Sequence, residues 1–78
     1  MKYLSITGAR SEQELQAYLY SYATVITSNT ASSGRVYAVV SVPDERAQYQ
    51  ADRMSSGMMG CGIHDTATEA GISCLDRI

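Results

Sequence analysis

The chain has 78 residues, of which 45% are hydrophobic and 18% charged, with a formal net charge of -2. Leu, Ile and Val total 14, and all six aromatic residues are Tyr. Such a chain is too short for a multidomain enzyme, holds nothing near the ~20 apolar residues that cross a bilayer, and must close on a thin aliphatic core.

The sequence pI near 5.1 argues against a broad electrostatic footprint for nucleic acid or anionic lipid. Its five Arg and one Lys lie scattered, with no polybasic run. The opening MKYLSITGAR is interrupted by polar residues, unlike the long apolar segment of a secretory signal. Two cysteines, Cys61 and Cys74, do not make the disulfide framework of a small secreted domain. A single domain over residues 1–78 in a reduced, cytoplasmic setting is therefore expected, without membrane association.

Lys2–Thr7 is short and β-prone, and Gly8 ends it. Ser11 followed by Glu14 is a capping box for a helix start. Leu15, Tyr18, Leu19, Tyr22, Val25 and Ile26 then share a helical face, while the β-branched residues after Tyr20 favour a strand. The pattern allows one helix of about 18 residues, or a helix to about Ser21 followed by a strand over Ala23–Ser28. Asn29–Gly34 is a polar loop. Arg35–Val42 is the most apolar stretch and predicts a central strand.

Pro43 stops that strand, and Asp44 caps a second helix starting at Glu45. Ala47, Ala51, Met54 and Met58 fall at the spacing of one apolar stripe. Gly57, Gly60 and Gly62 break the helix into a loop. Thr66 with Glu69 can cap one short turn, and the alternation in Ile72–Ile78 predicts a terminal strand. The order gives an α+β fold, a ferredoxin-like βαββαβ antiparallel sheet with two helices on one face. A three-stranded βαβαβ sheet is the alternative if residues 23–28 are helical.

Candidate chemistry is sparse. Cys61, His64, Asp65 and Cys74 are metal-ligand types, but Cys61-x2-His64 supplies only one paired spacing, so no metal is expected. Cys61 with His64 lacks the arranged geometry of a nucleophile and base. Ser55 or Ser56 with His64 and Asp65 would need adjacent side chains to converge. No enzyme activity and no cofactor are therefore expected. Thr7–Ser11 joins a strand to a helix start, so Arg10, Ser11 and the Gly57, Gly60 and Gly62 loop are candidate contacts for a small anionic ligand or nucleotide.

Arg35, Tyr37, Ala38 and Val40 resemble part of the main strand motif of RNA-recognition motifs, and Tyr3 offers a second stacking platform. The motif's Gly and two of its aromatics are missing, and the acidic balance opposes nucleic acid. The tyrosines carry apolar bodies with polar tips, which suits a surface that is sometimes buried. Tyr20, Tyr22, Tyr49, Met58 and Met59 are the candidate protein-binding residues. In size and composition alone the chain resembles the small inhibitors and sequestering proteins of phages and other mobile elements. The expected behaviour is binding by occlusion, to a host protein or to further copies of the chain as a homodimer or higher oligomer.

Overall fold

A computed structural model describes all residues from Met1 to Ile78. Strand β1, Lys2–Ala9, turns Leu4 and Ile6 to one face and Ser5 and Thr7 to the other. Gly8 does not end it. With φ +84°, Gly8 instead admits a bulge between Ile6 and Ala9, which returns Ala9 to the face of Ile6. Helix α1, Glu12–Tyr18, begins at the expected cap: Ser11 Oγ accepts the Glu14 N–H at 3.0 Å, and Glu14 accepts the Arg10 N–H at 3.0 Å.

The first helix is short, ending where Leu19 turns extended, and the alternative of one long helix does not occur. Strand β2, Thr24–Thr30, forms instead, since its Thr, Val and Ile side chains suit a pleated surface. A loop closed by Ala31 N–H donating to Arg35 O leads into β3, Val36–Val42, which lies centrally as predicted. Val36, Ala38, Val40 and Val42 face α1, while Tyr37, Val39 and Ser41 face away.

After Pro43 a 3-10 turn, Asp44–Arg46, leads into helix α2, Ala47–Ser56. Its buried stripe is Ala47, Gln50, Ala51 and Met54; Met58 is not on it. The helix stops in a Schellman cap, with Met58 N–H donating to Ser55 O at 2.9 Å and Met59 N–H to Met54 O at 3.1 Å. Met58 therefore adopts the left-handed conformation, φ 64°, that usually falls to Gly, and its side chain is 87% exposed. Met59, one residue on, turns into the core and is only 3% exposed.

The glycine-rich stretch is a strand rather than a loop: β4, Gly60–His64, pairs antiparallel with β1 from Tyr3↔His64 to Thr7↔Gly60. Ile72–Ile78 is correspondingly not a terminal strand. Thr66 Oγ1 accepts the Glu69 N–H at 3.1 Å and starts helix α3, Ala67–Arg77. The alternation read in Ile72–Ile78 was coincident with a helical stripe in which Ala70 and Cys74 are buried. The result is a small α+β protein whose four-stranded antiparallel sheet has the order β2-β3-β1-β4.

Two layers cover the sheet. Leu4, Ile6, Val40 and Val42 pack with Leu15 of α1 and Ala47 and Met54 of α2 on one face. On the other, Val39 meets Ala70 and Cys74 of α3. Each large aliphatic buried this way contributes about 1.5–3 kcal/mol. The radius of gyration, 10.8 Å, is close to the ~11–12 Å expected for this length. No helix is long and apolar enough to cross a membrane.

Candidate functional site

The tyrosine-rich turn after α1 and the outer side of α2 meet in an open cleft of about 350 Å³ lined by Tyr20, Tyr22, Arg46 and Tyr49. Tyr20 and Tyr22 are brought together by the tight turn in which Ala23 N–H donates to Tyr20 O at 3.0 Å. Their ring centroids lie 5.4 Å apart, tilted by 35°. Arg46 holds its guanidinium carbon 5.7 Å from the centre of the Tyr22 ring. Tyr49 stands one helical turn further on and is 65% exposed. Desolvation, then the neighbouring Tyr20, raise the Tyr22 hydroxyl above its ordinary pKa.

One buried side chain fixes this arrangement. Gln50 is fully buried, and its Oε1 accepts the Tyr20 N–H at 2.8 Å while its Nε2 donates to Tyr18 O at 3.0 Å. The turn carrying the rings is thereby pinned to α2. Below the cleft, Arg53 stacks on Tyr18, 4.9 Å from its centroid. A Cβ on Gly57 would lie 2.7 Å from that same ring, so Gly57 is needed for close packing.

The candidate contact set therefore divides. Tyr20, Tyr22 and Tyr49 converge, and Arg46, not anticipated from the sequence, joins them. Met59 is a core residue and belongs to no surface. Met58 instead lines a second cleft of about 320 Å³ with Gly8, Arg10, Glu14, Arg35 and Gly57. Of the residues considered for an anionic ligand, only Arg10 and Gly57 reach that cleft. Ser11 is occupied as the cap of α1, and Gly60 and Gly62 lie in β4.

A polar cluster beneath α3 was not legible in advance. Ser5, fully buried, shares a hydrogen bond of 2.8 Å with His64 Nε2 and donates to Ser73 Oγ at 3.3 Å. Arg77 donates to Ser5 O at 2.7 Å and also to Ser5 Oγ. The nearby Asp65 carboxylate turns to Lys2, whose hydrogen bond holds Asp65 below and Lys2 above its ordinary pKa. No acid thus completes a relay through His64, and Ser55 and Ser56 lie away from it on α2. The cluster anchors a helix.

Cys61 packs against the core on the α2 side, whereas Cys74 is on the sheet-facing side of α3 with its thiol near the carbonyls of Ile6 and Ala38. Burial pushes the Cys61 thiol up to about 11, leaving it a poor nucleophile. No three His, Cys, Asp or Glu side chains converge to hold a metal ion. Tyr3 and Tyr37 share the α3-facing side of the sheet, half-buried against Val39 and the helix, and Arg35 precedes β3 at the second cleft. No protein family, curated protein or solved structure matches the chain.

Proposed function

We propose that this is a non-enzymatic binding protein that takes a segment of a partner protein into the Tyr20–Tyr22–Arg46–Tyr49 cleft and acts by occluding it. The observation that carries the reading is the convergence of the exposed Tyr20 and Tyr49 and the half-buried Tyr22 around a guanidinium, with the turn that bears Tyr20 and Tyr22 clamped by a buried Gln50. Rigid Tyr side chains supply large contact area at low cost in conformational entropy, and Tyr and Arg are both enriched among interface anchors. Occlusion of a host protein, in the manner of small phage-type inhibitors, is the mode of action this surface suits.

The test compares immobilised wild-type protein with a Tyr49→Ala variant. Tyr49 is largely exposed, so the variant keeps its melting temperature, while a partner held by the wild type binds about thirtyfold more weakly if the ring is an interface anchor. Unchanged capture by the variant would remove the cleft from consideration.

Self-association is a second reading, and a separate surface supports it. Ile72, Leu75 and Ile78 leave a stripe of large aliphatic side chains uncovered on the outer side of α3. Light scattering at rising concentration should report a dimer that Leu75→Glu disperses; a wild-type protein that stays monomeric would end this reading.

The ferredoxin-like arrangement is likewise our reading of the sheet. What supports it is that β1 lies between β3 and β4, β2 lies beyond β3, and α1 and α2 pack on one face. On this reading α3 is an addition that covers the opposite face.

A further inference from the structure

We infer that the segment taken by the tyrosine cleft is an extended acidic peptide, with a carboxylate set against Arg46. This rests on the binding reading above and deepens it. The chain is acidic overall, yet its ion pairs join only the N-terminal amine to Asp44 and Lys2 to Asp65. None of the five arginines has a carboxylate partner. Several carboxylates are committed elsewhere: Glu14 and Glu69 in helix caps, Asp52 with Gln48, and Glu12 with Ser28. No carboxylate lines the cleft.

Arg46 in the 3-10 turn and Arg53 on α2 stand on either side of Tyr49 in the chain, and each lies over a tyrosine ring, Tyr22 and Tyr18 respectively. Neither guanidinium has a hydrogen-bond or ion-pair partner within the chain, so its N–H edges stay free for charge-assisted hydrogen bonds. A neutral occupant would cover Arg46 and desolvate a cation without pairing it, which is costly. An occupant that brings a carboxylate meets those free edges and keeps its apolar groups against the rings. Proline suits the rings, since an extended proline-containing chain docks on aromatic grooves with little ordering cost. Nucleic acid suits the site less, because it repeats charge along its whole backbone while the cleft offers a single guanidinium, Arg46.

The experiment is an NMR titration of the full chain at low salt with three probes. These are a synthetic peptide of alternating Glu and Pro about twelve residues long, its Gln–Pro counterpart, and an oligothymidylate of similar length. The expected result is that the Glu–Pro peptide shifts the amides of Tyr20, Tyr22, Arg46 and Tyr49. The Gln–Pro peptide should bind about tenfold more weakly, and Arg46→Gln should weaken Glu–Pro binding by a similar factor. Equal binding of the two peptides, or indifference to Arg46→Gln, overturns the acidic assignment while leaving a protein-binding cleft. Tighter binding of the oligonucleotide at the same amides overturns it in favour of nucleic acid. Silence from every probe also overturns it, and the Tyr49→Ala comparison then decides the wider reading separately.

Discussion

Gln50→Leu is expected to lower the unfolding free energy by about 2–3 kcal/mol and to release the tyrosine turn, although Leu matches the size of the residue it replaces. The side chain is fully buried and answers two main-chain groups, the Tyr20 N–H and the Tyr18 carbonyl. Leaving a buried polar group without a partner costs about 1–3 kcal/mol each. Water reaching the half-exposed Tyr20 recovers some of that, and burial of the Leu side chain offsets a little more. Urea denaturation measures the loss, and faster amide exchange at Tyr20 locates it. A Leu variant within about 0.5 kcal/mol of wild type would show that the clamp holds nothing.

Gln50→Glu separates the acceptor from the donor. The new carboxylate can still accept from Tyr20, but it donates to Tyr18 only when protonated. Burial raises its pKa in the folded state above the ~4.3 of an unfolded Glu. The contribution is therefore fully present below that value and is lost as pH rises through the folded pKa. This variant should approach wild-type stability near pH 4 and fall behind it towards neutrality.

Gln50 also shows why the sequence was only partly legible. Its position between Ala47 and Ala51 completes a buried stripe, but Gln reads as polar, and the apolar spacing points to Met58 as the fourth member instead. A Schellman cap on Gly57 and Met58 then moved Met59 inward, an event decided by main-chain hydrogen bonds that carry no hydrophobic period. The strands with large β-branched residues, β1 and β3, were legible because their alternation or apolar density is high. Strand β4 was not, since Gly60 and Gly62 signal turns in isolation. They are tolerated here because β1 supplies the pairing and α3 crowds the same side.

The site was legible in its rings and not in its charge. Exposed tyrosine is a residue-type signal, so Tyr20, Tyr22 and Tyr49 could be named before any geometry was known. Arg46 could not, because nothing local says that a residue in a 3-10 turn will reach back over a ring on the turn following α1. The Ser5, His64 and Arg77 cluster was hidden for a related reason. It spans three elements, and the sequence pattern predicts a loop where β4 forms and a strand where α3 ends.

That cluster carries the second large prediction, Gly62→Ala, expected to destabilise by about 1–2 kcal/mol. An Ala in a strand interior ordinarily gains about 0.5–1 kcal/mol over Gly. Here its methyl would lie 2.9 Å from Ser5 Oγ and 3.0 Å from His64 Nε2, so the intrinsic gain is outweighed by overpacking. Ser5 cannot swing aside cheaply, because its hydroxyl is held by His64, Ser73 and Arg77. The methyl must break those bonds or lift β4 from β1. Ser5→Ala removes the obstructing oxygen and alone costs about 1 kcal/mol, since Arg77 keeps the Ser5 carbonyl at 2.7 Å. The double variant should therefore lose less than the sum of the two, by at least about 0.5 kcal/mol. Gly71→Ala is the control: nothing lies within 4 Å of its added Cβ, and it sits inside α3, so it should stabilise by about 0.5–1 kcal/mol. Strict additivity of Gly62→Ala and Ser5→Ala in denaturant melts would mean that the methyl and the hydroxyl never meet. The register that places β4 against β1 beneath α3 would then be wrong at that point.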